Sequence, residues 1–168
     1  MKRATHSGAV PKTGEASAIK AVKSVIAEHP FLKELKPKHL GVLADNAMRM
    51  QFEPNQLIFR EGDPANRFYL IETGQVSLES MGNNESPALI QMIGPGEVLG
   101  WSWLFPPYYW HFDARALEPT TAIFFYGTRL REQCEQDRTL GYELMKRMAS
   151  VVIQRLQATR KQMLAARR

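Results

Sequence analysis

The chain has one cysteine and no long apolar run. Because Cys134 has no second cysteine to pair with, an internal disulfide framework is excluded, and the composition suits a reducing compartment. No apolar run approaches the roughly 20 residues that a membrane-spanning helix needs. The basic N-terminus has no apolar segment behind it, so it does not read as a signal peptide. We therefore expect a cytoplasmic protein without a membrane contact.

Lys and Arg are absent from the whole stretch between Arg67 and Arg115, although the chain has a net charge of +5. The positive charge lies in residues 1–38 and 154–168, whereas residues 39–153 carry more acidic than basic side chains. A nucleic-acid-binding domain normally concentrates its positive charge on one folded face. The chain also has no segment for a helix-turn-helix after its last predicted helix. We expect no sequence-specific DNA binding by this chain.

Catalytic motifs are missing as well. A phosphate-binding loop, a nucleophile elbow and a paired-cysteine motif are all absent from the sequence. A metal site in a β-barrel needs several histidines and a carboxylate, but only His111 of the four histidines falls among the predicted strands. We expect no enzyme activity, no metal and no cofactor.

The pattern of apolar and turn-forming residues divides the chain into four parts. Residues 1–15 lack periodicity and predict a disordered tail. Residues 16–47 predict N-terminal helices, with an apolar face formed by Ile19, Val22 and Ile26 in the first of them. Residues 48–126 predict short strands, and residues 127–168 predict C-terminal helices. We expect these parts to form a single domain.

Eight short strands are predicted, separated by turns rich in Gly, Asn and Pro. This spacing, with almost no helix between the strands, predicts a mainly β fold with flanking helices, built as an antiparallel jelly roll. The predicted strands are Met48–Glu53, Leu57–Arg60, Arg67–Thr73, Gln75–Ser80, Ala88–Ile93, Val98–Leu99, His111–Leu117 and Thr121–Tyr126.

Two helices are predicted after the strands. Thr128 is expected to cap a short one, and Asp137 a long one that runs to about residue 165. The long helix carries an apolar seam that continues where no barrel is left to cover it, so we expect a homodimer through this seam. Its apolar residues are Met145, Met148, Val152, Leu156 and Met163, and with Thr159 between the last two they recur at steps of three or four.

Residues 56–78 (QLIFREGDPANRFYLIETGQVSL) carry an ordered set of features. A strand, a Glu-Gly-Asp turn, a buried Phe-Tyr strand and a hairpin with Gly74 follow one another. This order resembles the hallmark of cyclic-nucleotide-binding domains, and the resemblance extends from about residue 31 to residue 160. It looks closest to the Crp–Fnr group of regulators. The resemblance implies a cyclic-nucleotide-binding-like barrel followed by a long C-terminal helix that the ligand repositions.

The segment that would hold the nucleotide departs from the family pattern. In residues 94–107 (GPGEVLGWSWLFPP), Gly100 matches the glycine of the phosphate-binding cassette, but Trp101 stands where the family has a Glu for the ribose. The Arg expected on the cyclic phosphate would fall within residues 109–111, and no Arg is there. Arg115 follows in a predicted strand whose alternation turns its side chain outward. We expect the protein not to bind cyclic AMP.

Two interpretations of this aromatic segment remain open. In the first, its rings line a pocket for a flat small molecule, which the backbone N–H groups of a helix starting at Gly100 would help to orient. Alternatively, the rings fill the pocket and leave a ligand-independent dimerisation or protein-interaction scaffold. In both cases the downstream partner is unknown. The candidate site residues are Gly100, Trp101, Ser102, Trp103, Tyr109, Trp110 and His111.

Overall fold

A computed structural model of the chain describes residues 13–81 and 86–166. The chain begins with helix α1 (Thr13–Glu28), a 3-10 turn (Pro30–Leu32) and helix α2 (Pro37–Asp45). The predicted tail of residues 1–15 is therefore wrong for residues 13–15, while residues 1–12 lie outside the described part. Ala16 and Ala18 favour extension of a nucleated helix toward its N-terminus, which explains the earlier start.

Eight strands follow and form two antiparallel sheets. The strands are β1 (Ala47–Phe52), β2 (Leu57–Phe59), β3 (Arg67–Thr73), β4 (Val76–Met81), β5 (Pro87–Ile93), β6 (Val98–Leu99), β7 (Asp113–Ala116) and β8 (Thr120–Tyr126). Each strand begins and ends within two residues of its predicted bounds. One sheet has the order β1-β8-β3-β6 and the other β2-β7-β4-β5, which confirms the predicted jelly roll with flanking helices.

Strand β3 separates two hydrophobic clusters. Tyr69 and Ile71 point between the sheets, whereas Phe68 and Leu70 point toward the helices. Because side chains alternate along a strand, a strand covered on both faces reads as one continuous apolar run. The run Phe68–Ile71 is buried throughout, as the sequence predicted.

Two helices complete the fold, α3 (Gly127–Gln136) and α4 (Arg138–Ala165). Asp137 caps α4, since its carboxylate accepts from the N–H groups of Thr139 and Leu140. The predicted cap at Thr128 is wrong, because α3 begins at Gly127 and has no side-chain cap. Strand β8 leads straight into this helix, and the Gly127 N–H donates to the carbonyl of Asn66 at 2.8 Å.

Helix α4 has two apolar faces rather than one. Leu140, Leu144 and Met148 pack against the barrel and the N-terminal helices, and Met148 is 0% exposed. Met148 is therefore excluded from the predicted dimer seam, because its side chain is already buried within one subunit. The second face points to solvent and is named here the α4 stripe. It consists of Met145, Ile153, Leu156 and Met163, with the half-buried Val152 at its edge.

Asp137 also joins α4 to α2, because its Oδ2 accepts from Lys38 Nζ at 2.9 Å and lies 3.2 Å from His39 Nε2. The hydrogen bond from Lys38 is the main cause that lowers the pKa of Asp137, and the Leu140 N–H adds to it. A lowered folded-state pKa contributes stability above the ordinary value of 3.8, and this contribution is lost as the pH falls below it.

The Asp137→Asn variant should therefore melt at a lower temperature than the wild type at pH 7, and this difference should shrink in acid below pH 3.8. Thermal unfolding followed by circular dichroism across pH measures it. Asp45→Asn is the control, since Asp45 is exposed on the neighbouring helix. A melting difference that stays constant down to the lowest pH would contradict the ionic role of Asp137.

Candidate functional site

The chain between β6 and β7 follows a series of turns and contains no helix. Leu104 N–H donates to the carbonyl of Trp101 at 3.3 Å, and Tyr108 N–H donates to that of Phe105 at 3.0 Å. The predicted helix start at Gly100 is therefore wrong. Two successive prolines, Pro106 and Pro107, lack the N–H groups that a continuing helix would need. The proposed anion cradle of helical N–H groups is thus absent from this segment.

Trp110 fills the space beside the cassette glycine. Its ring is buried and stacks on Phe59 with centroids 3.9 Å apart and planes 12° from parallel. Gly100 has φ +88°, and a Cβ there would lie 2.8 Å from the Trp110 ring, so only glycine fits. The remaining cavity has a volume of about 10 Å³. This geometry corresponds to the interpretation in which aromatic rings fill the pocket.

Trp101 lies at the rim of this cavity, where the family pattern has a Glu. Its indole stacks on the His111 imidazole with centroids 4.9 Å apart, and Ser102 Oγ lies 2.9 Å from His111 Nδ1. The structure therefore brings Gly100, Trp101, Ser102, Trp110 and His111 together around one small cavity. None of these groups is a carboxylate that could accept from ribose hydroxyl groups.

Two predicted site residues lie elsewhere. Trp103 is fully buried in the core beneath the helices, where it stacks on Phe68 with centroids 4.9 Å apart. Tyr109 is 49% exposed, and its backbone bridges to Pro64 on the outer side of the segment. The tight turns after Gly100 reverse the chain direction, so neighbours in sequence point to opposite sides.

A cation reaches the cavity from a distant part of the chain. Arg155 of α4 contributes to the cavity lining, and its Nη2 donates to the carbonyl of Val98 in β6. Burial lowers the pKa of this guanidinium to about 10, although the nearby Glu97 opposes the shift. Arg155 was not among the predicted site residues, because the prediction considered only the cassette. The one feature of the sequence that points to Arg155 is its place beside the apolar seam of the long helix.

Arg115 does not supply a second cation to the cavity. Its side chain points outward from β7, as predicted, where its Nε lies 3.5 Å from Glu79 Oε2 and its Nη1 donates to the carbonyl of Asn55.

Within the described residues, no group of His, Cys, Asp or Glu could hold a metal ion. Among those same residues, no helix is long and apolar enough to cross a bilayer.

The profile of the cyclic nucleotide-binding domain family matches residues 49–137, which is just over half of the chain. The chain belongs to this family. A crystal structure from Geobacter metallireducens, named as a putative cyclic nucleotide-binding protein, superposes with a TM-score of 0.72 and 27% identity. The superposition covers 83% of this chain and 98% of that one. The family match and the superposition therefore confirm the fold and the family resemblance that residues 56–78 indicated.

Curated relatives match shorter segments. The acetyltransferase Pat of Mycolicibacterium smegmatis is 35% identical over 75 residues, which cover 45% of this chain and 22% of that protein. A CRP-like cAMP-activated global transcriptional regulator of Mycobacterium tuberculosis is 23% identical over 83 residues, or 49% of this chain and 37% of that protein. The chain thus spans well under half the length of these relatives. What this chain shares with them is the cyclic nucleotide-binding domain.

The Trp110→Ala variant should lose about 3–5 kcal/mol of unfolding free energy, because a buried ring is removed and a cavity is left. Urea denaturation measures this loss. Tyr109→Ala is the matched control and should change stability by only about 0.5 kcal/mol, since that ring is half exposed. Indole should partly restore the melting temperature of Trp110→Ala by filling the cavity. Equal losses in the two variants would show that Trp110 does not close the pocket.

Proposed function

We propose that this chain is a non-catalytic sensor domain that responds to a small molecule other than cyclic AMP and transmits the response through α4. The supporting observation is the bond from Arg155 to the carbonyl of Val98. It joins the long helix to β6, two residues before the cassette glycine Gly100. A change in the shape of the cassette therefore acts directly on a side chain of α4.

The coupling works as a shift between two packings of one helix. Because α4 is a single rigid element of 28 residues, a displacement near Arg155 also moves the α4 stripe. A ligand shifts this equilibrium only by the difference between its affinities for the two packings. The output of the domain is then the position of the α4 stripe, which changes the contact with a second subunit or a downstream protein.

The partner that best fits the α4 stripe is a second copy of the chain. Leu156 is 68% exposed and Met163 is 57% exposed, and both lie on one face of the helix. Each Met or Leu side chain that is buried contributes about 1.5–3 kcal/mol, so a few on each helix favour pairing. A cytoplasmic location stays a prediction of the composition.

A second candidate function is a scaffold that dimerises without any ligand. The cavity of about 10 Å³ beside Gly100 favours it, since a ligand at that position would have to displace the Trp110 ring. In this case the family fold is retained for its helix geometry alone, and Arg155 serves only to fix α4 on the barrel.

A ligand screen separates the two candidates. The wild type and Arg155→Gln are screened with nucleosides, nucleotides and aromatic metabolites by thermal shift and tryptophan emission. A sensor gains about 2.7 kcal/mol of stability at 100 times the dissociation constant of its ligand. The ligand should also change the dimer dissociation constant of the wild type and change that of Arg155→Gln less. A screen in which no compound alters melting or emission supports the scaffold.

A further inference from the structure

A groove far larger than the cassette cavity also borders α4. The helix, the turn between β5 and β6 and the 3-10 turn enclose a volume of about 530 Å³. Sites for small molecules have volumes of about 300–1,000 Å³. Its lining combines charged, amide, hydroxyl and apolar side chains, among them Phe31, Glu97, Arg147, Ser150, Val151 and Gln154.

Arg147 contributes a guanidinium to the lining of the groove. Its Nη1 donates to the carbonyl of Phe31 at 2.8 Å, and its Nη2 lies 3.7 Å from Glu143 Oε2. Its Nε is buried, and no described group accepts from it. Because a guanidinium has five N–H donors, these two contacts leave Nη donors available to an anionic ligand in the groove.

Arg155 lines the same groove and, unlike Arg147, has no counterion at salt-bridge distance among the described residues. Burial lowers its pKa to about 10, which reflects the cost of holding this charge away from water. Its bond to the Val98 carbonyl fixes the guanidinium at the junction between the groove and the cassette cavity.

The acidic side of the groove limits the charge of an occupant. Glu97 is the one carboxylate in the lining, and its Oε2 accepts from the Gly94 N–H at 2.7 Å, which holds it in the turn. The lining carries Arg147, Arg155 and Glu97, and Glu143 pairs with Arg147 from beside it. A ligand with one carboxylate can pair with Arg155, whereas a second negative group would lie near Glu97 and be repelled.

We propose that this groove is a binding site for a small organic acid with one carboxylate and an apolar body. The carboxylate accepts from Arg147, and from Arg155 on the inner side, in charge-assisted hydrogen bonds. The apolar body packs against Phe31 and Val151, and Gln154 and Ser150 are available to polar substituents. Binding in this groove does not depend on the sensor function proposed above. A regulatory role of the groove rests on that proposed function.

The test uses 3-phenylpropanoate as the probe and 3-phenylpropanamide as its uncharged counterpart. Binding to the full chain is measured by titration in nuclear magnetic resonance spectra. We expect the acid to bind at least about tenfold more tightly than the amide, because only the acid forms hydrogen bonds between charged groups. Equal affinity for acid and amide, or no shift with either at millimolar concentration, overturns the proposal.

Variants locate the site. Arg147→Gln should weaken binding of the acid about tenfold or more, whereas Arg138→Gln removes the same charge from the exposed start of α4 and should leave it unchanged. Ser150→Trp places a ring in the groove from an exposed helix position, so it should fold normally and abolish binding. Wild-type affinity in Ser150→Trp overturns the assignment to this groove.

The same titrations keep the two proposals apart. If the acid binds but leaves the dimer dissociation constant unchanged, the groove stands as a binding site and its regulatory role fails. If the acid does not bind, the groove proposal fails, while the coupling through Arg155 is still decided by the ligand screen with Arg155→Gln.

Discussion

Cyclic AMP and cyclic GMP should bind this protein no more tightly than about millimolar. The Glu expected on the ribose is replaced by Trp101, whose ring is stacked on His111. The Arg expected on the phosphate is absent, and each lost hydrogen bond to a charged group costs about 1.5–3 kcal/mol. Two such losses weaken a micromolar ligand by roughly a thousandfold, since about 1.4 kcal/mol corresponds to a factor of ten.

The cation that the structure adds does not reverse this expectation. Arg155 already donates to the carbonyl of Val98, and the cavity beside it has a volume of about 10 Å³. A cyclic nucleotide would have to break that bond and displace Trp110 from its stack on Phe59. Both changes add to the cost of binding.

Isothermal titration calorimetry with each cyclic nucleotide measures this affinity directly. The double variant Trp101→Glu/His111→Arg tests the reason, because both positions line the cavity and together restore the missing charges. It should bind cyclic AMP at least about tenfold more tightly than the wild type does. Low-micromolar binding by the wild type would refute the argument from the missing contacts.

The second large effect concerns assembly. Leu156→Glu/Met163→Glu should convert a dimer into a monomer, because it places four charges in the interface that the two copies of the α4 stripe form. Its melting behaviour as a monomer should stay cooperative, since both side chains are more than half exposed within one subunit. Size-exclusion chromatography with light scattering gives the mass of each species.

Met148→Glu is the informative contrast on the same helix. Its side chain is 0% exposed and packs in the core beneath α4, so a charge there should disrupt the fold itself. The loss of unfolding free energy should exceed the roughly 2–5 kcal/mol that a buried Met→Ala change costs. A folded Met148→Glu monomer would show that α4 is oriented differently. A wild type that is monomeric at high micromolar concentration would refute the dimer itself.

The fold was predictable from the sequence because its signals are local. Turn residues such as Gly62 and Gly74 have φ of +85° and +90°, values that favour glycine, and they separate apolar runs whose lengths fit strands. Asp137 has the side chain that a helix cap needs. The resemblance in residues 56–78 depends on the same local order, and the family match confirms it.

The site could not be predicted to the same depth, because its geometry comes from contacts between distant residues. Helical spacing put Met148 in the seam with Leu156, but which face of α4 meets the barrel is decided by packing against Leu32, Phe68 and other core residues. Aromatic content identified the cassette, yet only the turns after Gly100 direct Trp103 into the core and Trp110 into the cavity.

The sequence by itself determined the β-barrel, its helices and the absence of Lys and Arg from the cassette, because each depends on residues that are neighbours in the chain. Only the tertiary structure decided that a cation nevertheless lies at the cassette. Arg155 is 57 residues from the Val98 carbonyl that it contacts. Helix α4 brings it there by packing across the barrel, and no local pattern encodes that approach.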